Sequence, residues 1–155
     1  MDRKLRMGMV GGGPGAFIGD VHRKAARMDG GIELVAGAFD IVPKKSREMG
    51  RELCINKKRV YNDVDTMIAR ESALPEDERI DFVSICTPNH THFPIAKAFL
   101  EAGFNVMCEK PMTLTVKEAK ALQEVVRKSR KVFGLMHNYT AYPMVKLARD
   151  MIRQG

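Results

Sequence analysis

Four of the five residues in Gly11-Gly12-Gly13-Pro14-Gly15 are glycine, and they follow directly on the apolar run of residues 5–10. Glycine at this density marks backbone that takes φ values closed to other residues or comes close to another group. The run fits G-x-G-x-x-G/A as Gly11, Gly13 and Ala16. In that pattern Gly11 permits the tight turn out of a strand, Gly13 lets the backbone approach a pyrophosphate, and Ala16 is small enough for close helix–strand contact. Pro14 and Gly15 complete the turn. The helix that follows, opening with Phe17 and Ile18, aims its first N–H groups at the phosphate charge. Such a pattern carries weight only between a strand and a helix, with an acid ending the next strand. Here Asp40 is that acid. The competing reading is a purely structural glycine turn.

The rest of the chain supplies that context. Short apolar runs are expected as strands at residues 5–10, 33–39, 58–61, 82–87, 105–108 and 132–137. Amphipathic stretches between them are expected as helices. Gly30-Gly31 closes the first helix, Pro43 suits the first turn of the second, and Gly50 is a weak point inside it. Asp63 is a good N-cap, Gly103 a helix stop, and Thr115 with Glu118 a capping box. A last helix begins near Tyr142. The alternation predicts an α/β fold with a doubly wound parallel sheet of the Rossmann type, strand order 3-2-1-4-5-6. Its ligand crevice lies where the strand order reverses. That edge would gather residues 11–16, Asp40, residues 87–92, 109–111 and 137–139.

An acid at Asp40 can bind both ribose hydroxyls of NAD and would repel the extra phosphate of NADP. Lys44, Lys45 and Arg47 follow closely and leave NADP open. Capping of the next helix is the plainer role for Asp40. The net charge is +7, but the Lys and Arg residues are spread among acids along helical stretches. They read as solvated faces, and without a recognition motif or aromatic platform no nucleic-acid partner is expected. No apolar run approaches the roughly 20 residues that span a bilayer, and the N-terminus has no signal-peptide pattern. No membrane partner and a cytoplasmic location are therefore expected. The three cysteines, Cys54, Cys86 and Cys108, are odd in number and read as free core thiols in a reducing compartment. Cys86, His90, His92, Cys108 and His137 fall near one edge, but in no metal-ligand spacing, so no metal is expected.

Three segments resemble one family: the Gly11–Ala16 turn, Thr87-Pro88-Asn89-His90-Thr91-His92, and Cys108-Glu109-Lys110-Pro111. Together they look like the N-terminal domain of the glucose–fructose oxidoreductase / inositol dehydrogenase / rhizopine catabolism (Gfo/Idh/MocA) family. The resemblance covers essentially the whole chain. It implies that Lys110 sits beside the nicotinamide and the reacting hydroxyl as the catalytic residue. An amine beside a positively charged nicotinamide gives up its proton more readily and can serve the substrate oxygen. It implies that Thr87, Pro88 and Asn89 border the cofactor, that Glu109 orients its loop or contacts ribose, and that Pro111 follows a cis peptide. His92 matches a recurrent histidine of the pattern, with helix-start packing as the alternative. Asn138, with Tyr139, matches a pair facing cofactor and substrate.

By resemblance, residues 1–140 form the cofactor domain of an NAD(P)-dependent oxidoreductase acting on the CH–OH group of a sugar or polyol. Residues 141–155 begin an interdomain helix. The family's second, substrate-binding domain is absent from the 155 residues, which implies that they are inactive alone. A non-catalytic nucleotide-binding or regulatory module is the alternative. Copies of the chain are expected to be able to pair through the last helix, whose Met144, Val145, Leu147 and Met151 form an apolar side.

Overall fold

The computed structural model describes residues 3–155. Five parallel strands form one sheet: β1 (Leu5–Gly11), β2 (Ile32–Ala38), β3 (Phe82–Cys86), β4 (Asn105–Cys108) and β5 (Phe133–Leu135). Their order is β2-β1-β3-β4-β5. The helices are α1 (Phe17–Arg27), α2 (Pro43–Glu52), α3 (Val64–Ser72), α4 (His92–Glu101), α5 (Val116–Ser129) and α6 (Pro143–Gln154). The expected doubly wound Rossmann sheet is present. The reversal of strand order falls between β1 and β3, which pair from Met7↔Phe82 to Gly11↔Cys86.

The two faces follow from strand alternation. Val10, Val83, Ile85, Val106 and Cys108 meet Met67 of α3, Phe99 and Leu100 of α4, and Leu122 of α5. Met7, Met9 and Cys86 meet Ala26 of α1, Phe39 and Met49 of α2. The short polar residue Ser84 therefore lands on the α1 face between two apolar neighbours, and it is fully buried there. Helix ends follow their sequence signals. Asp63 accepts the Thr66 N–H at 2.7 Å. Thr115 and Glu118 form both halves of a capping box. Gly103 ends α4 at φ +85°.

Two expectations are corrected. The first is the strand at residues 58–61. Lys57–Arg59 form a 3-10 turn, held where Asn56 Oδ1 accepts the Lys58 N–H at 3.0 Å. The segment reaches β2 at Gly37 alone, through a single parallel bridge from Val60 in which Tyr61 N donates to Gly37 O at 2.8 Å. The segment occupies the place of the third strand, but Asn62 and Asp63 already turn into α3, so no second rung can form. The sheet has five strands rather than six, with the remaining order as expected. The second is Cys54, which is exposed at φ 57° just past α2 rather than in the core. Gly50, expected as a weak point, is instead a packing requirement, since a Cβ there would lie 2.4 Å from Val60 Cγ2.

Glu71 ties the irregular segment to the sheet. Its side chain is fully buried. Oε1 accepts from Arg59 Nε at 3.1 Å and Tyr61 Oη at 2.7 Å; Oε2 accepts from Arg59 Nη2 at 2.6 Å and Ile80 N at 3.0 Å. Burial, together with the Glu71 carboxylate, pushes the Tyr61 phenol well above its ordinary range. Glu71→Ala leaves a partly buried guanidinium and a buried N–H without partners. It should cost about 3–5 kcal/mol in denaturant unfolding, and Glu71→Gln clearly less.

The cysteines give a second measurement. Burial pushes the Cys86 thiol up to about 11 and the Cys108 thiol up to about 12. A maleimide at pH 8 should therefore label Cys54 rapidly in the native protein and the other two only after denaturation. Rapid native labelling of Cys86 or Cys108 would contradict this packing.

Candidate functional site

The glycine turn is built from close approaches. Gly11 (φ +80°), Gly12 (φ +72°) and Gly15 (φ +76°) adopt left-handed backbone. A Cβ on Gly11 would lie 2.6 Å from Cys86 O, so the turn passes directly over the end of β3. A Cβ on Gly13 would meet Phe39 O at 2.7 Å and Asp40 Oδ2 at 3.1 Å. Gly13 and Asp40 are thus in contact across the mouth of the site. Asp40 Oδ1 accepts the Val42 N–H at 2.8 Å, so one carboxylate oxygen starts the next turn while the other faces the glycines. Asp40 does not cap α2, whose N-cap is Val42 without a side-chain cap, so the capping role is replaced by a turn ahead of the helix.

The helix–turn contact that the sequence pattern assigned to Ala16 is made at Gly19. A Cβ on Gly19 would lie 2.3 Å from Gly12 Cα, so α1 lies flush against the turn. Gly19, His22, Arg23 and Ala26 are the buried residues of α1. Their spacing is a helical stripe, legible in the sequence only once His22 and Arg23 are allowed to be inside.

A cleft of about 560 Å³ opens above these elements. Gly11, Gly13, Pro14, Ala16, Asp40, Thr87 and Pro88 line it, joined by Asn62, Asp63, Val64 and Ile95, which the sequence had not marked. Phe17, Ile18, Gly15, Asn89, His92, Glu109, Lys110 and Asn138 are not among its lining residues. Phe17 is 80% exposed at the start of α1. Lys44, Lys45 and Arg47 are exposed on α2, and Arg47 Nη1 donates to Asn62 Oδ1 at 3.1 Å on the rim. The size of the cleft, the side-chain-free approach at Gly13 and the adjacent acid fit the adenosine and pyrophosphate parts of a dinucleotide.

Lys110 stands beyond β4 on the same sheet edge, with an exposed side chain and a cis peptide to Pro111, as expected. The main chain beneath it is pinned from both sides. Glu109 Oε2 accepts the Lys110 N–H at 3.0 Å, and Glu109 N donates to Ile85 O at 3.1 Å. Glu109 Oε1 lies 2.9 Å from His22 Nε2, and a carboxylate only accepts, so that nitrogen carries the hydrogen. His22 Nδ1 lies 2.8 Å from Ser84 Oγ. On the other side His92, 1% exposed, has Nδ1 2.7 Å from Pro111 O and Nε2 2.8 Å from Thr87 O. Both ring nitrogens face backbone carbonyls, which only accept, so a neutral ring donates to one of them, and either contact is the helix-start packing alternative. No contact aims it at the cleft. His22 and Ser84 carried no motif in the sequence; only the fold brings them to Glu109.

Asn138 opens the 3-10 segment Asn138–Ala141 and is exposed. Tyr139 is exposed as well and packs edge-to-face on Tyr142, ring centres 5.4 Å apart. Among the described residues no helix is long and apolar enough to cross a membrane.

Known proteins resemble this chain in sequence and fold. Residues 5–137 match the Gfo/Idh/MocA sequence family, described as an oxidoreductase family with an NAD-binding Rossmann fold. The chain is 38% identical over its full length to the uncharacterized oxidoreductase YfiI of Bacillus subtilis, covering 39% of that protein. It is 32% identical to inositol 2-dehydrogenase of Rhizobium meliloti, over 97% of this chain and 41% of the relative. The inositol dehydrogenase homolog of Azotobacter vinelandii, solved with NADH and myo-inositol, superposes with a TM-score of 0.95 at 42% identity, over 100% of this chain and 40% of that one. The chain thus spans about two fifths of the length of these relatives. With the glycine turn, the acid at Asp40 and the pinned Glu109–Pro111 segment on one sheet edge, the chain belongs to this oxidoreductase family, as its NAD-binding Rossmann domain.

Proposed function

We propose that the chain is the cofactor half of an oxidoreductase acting on the CH–OH group of a sugar, polyol or related small molecule. The observation that carries this reading is the position of Lys110. It leaves an otherwise buried and fully hydrogen-bonded strand end, exposed, on the edge that also holds the glycine turn. A surface lysine needs no such foundation. The names of the relatives, inositol 2-dehydrogenase among them, support a polyol-like substrate.

Bound NAD would supply the hydride acceptor at its nicotinamide ring. The chain's own residues do the rest. The turn at Gly11–Gly13 and the first N–H groups of α1 meet the pyrophosphate charge. Asp40 Oδ2 takes the ribose hydroxyls. Lys110 Nζ takes the proton from the substrate hydroxyl as that carbon gives up its hydride, and returns it in the reverse direction. Thr87, Pro88 and Asn89 close the nicotinamide side, with Asn138 beyond β5. The helix α6, which buries none of its residues, is read as the start of an interdomain helix.

Two experiments test this. Titration of the purified protein with NADH and NADPH, followed by nicotinamide fluorescence, should show NADH bound at least about tenfold more tightly, as expected from an acid at the ribose. Asp40→Ser should narrow that gap. Equal affinity for both in the unaltered protein would remove Asp40 from the ribose site. In the complete enzyme, with its substrate-binding domain, turnover with NAD and a panel of polyols and aldoses, myo-inositol first, should fall by about 10²-fold or more in Lys110→Ala while the NADH Kd stays within about twofold. Unchanged turnover would remove Lys110 from the chemistry.

A further inference from the structure

Most acids of this domain that leave the solvent have a close partner among the described residues: buried Glu71 faces Arg59, buried Glu109 has His22 Nε2 at 2.9 Å, and half-buried Asp81 is held well below the usual carboxylate range by hydrogen bonds from Arg3 and Arg6. Arg23, in the second turn of α1, has a side chain only 8% exposed. Its Nη1 donates to Gly12 O at 2.8 Å and lies 3.6 Å from Met9 Sδ. Among the described residues its only carboxylate neighbour is Asp20, 3.8 Å from Nη2. Asp20 is half exposed and already bonded to Lys24 Nζ at 2.7 Å. A guanidinium keeps its charge at any pH at which proteins fold, and burying it without a close anion is costly.

The location suggests what offsets that cost. The guanidinium lies against the glycine turn at Gly12 and is not among the residues that line the cleft. Its bond to Gly12 draws that carbonyl inward against α1, so the negative end of this peptide is turned from any anion above. We propose that Arg23 is a positioning residue for the pyrophosphate of the dinucleotide. It does not touch the ligand; it places a buried positive charge against the turn and holds the Gly12 carbonyl out of the anion's way. This rests on the reading of the cleft as a dinucleotide site. The approach of Gly19 to Gly12 serves the same end, because it leaves the turn and the second turn of α1 no intervening side chain.

Three variants separate charge from hydrogen bonding and packing. Arg23→Lys keeps the charge, Arg23→Gln keeps a donor for Gly12 O without charge, and Arg23→Met keeps apolar bulk alone. Dissociation constants are measured for NADH and for ADP-ribose, which retains the pyrophosphate and lacks the nicotinamide. Arg23→Lys should bind both within about threefold of the unaltered protein, and Arg23→Gln and Arg23→Met about tenfold more weakly, the scale of one charge at short range in a partly shielded site. Arg23→Met should do so with an unchanged or higher Tm, since apolar replacement of a buried charge is often neutral or stabilising. That split, weaker binding in a sounder fold, is not what a packing role gives. Near-native affinity in Arg23→Gln, whether or not Arg23→Met folds, overturns the proposal. So does equal weakening in all three with lowered Tm, or a loss confined to NADH. Failure of the unaltered protein to bind either ligand overturns the dinucleotide reading itself, and is seen before any variant is made.

Discussion

The backbone contact between Gly12 and Gly19 governs much of this domain. No side chain fits between them, so α1 starts immediately over the end of β1 and its buried stripe is fixed in depth. From that depth His22 reaches Ser84 and Glu109, and Arg23 reaches the Gly12 carbonyl. A larger residue at either glycine would lift the helix from the turn and break both connections together. The shape of the glycine turn and the support of Lys110 are therefore two consequences of one close approach. Interiors packed at crystal-like density pass such displacements on rather than absorbing them.

The site combines a hard foundation with an open top. Below the sheet edge, among the described residues, no buried side-chain nitrogen or oxygen lacks a partner. Glu109 is fixed by His22 and by two main-chain bonds, and His92 bridges the loops after β3 and β4. Above the edge, Lys110, Asn138 and Tyr139 are exposed. In the proposed function Lys110 meets both cofactor and substrate, and a rigid base with a free tip suits that role, because held geometry lowers the entropic part of the barrier. The histidines serve that base rather than the chemistry in this reading.

The relation of sequence to structure differs by residue. Gly11, Gly13 and Asp40 stood where their pattern put them, because a tight turn, a close approach and a strand-end acid are local demands written in residue type. Helix ends at Asp63, Gly103 and Thr115 were legible for the same reason. The strand expected at residues 58–61 was not, since β propensity there competed with the Asn56 cap and the turn into α3. Cys54 misled in another way: apolar neighbours in sequence do not bury a residue that the helix end swings outward.

Family resemblance singled out Glu109-Lys110-Pro111, and the sequence by itself determined the doubly wound sheet and the glycine turn with its acid. These rest on periodicity, glycine freedom and short motifs, all properties of neighbouring residues. Only the tertiary structure decided that His22 joins Ser84 to Glu109, that Arg23 lies against the glycine turn and that His92 faces carbonyls. Those facts join residues as far apart as His22 and Glu109. Hydrogen bonding and burial across such distances depend on how strands and helices pack, and no local pattern in the chain encodes that.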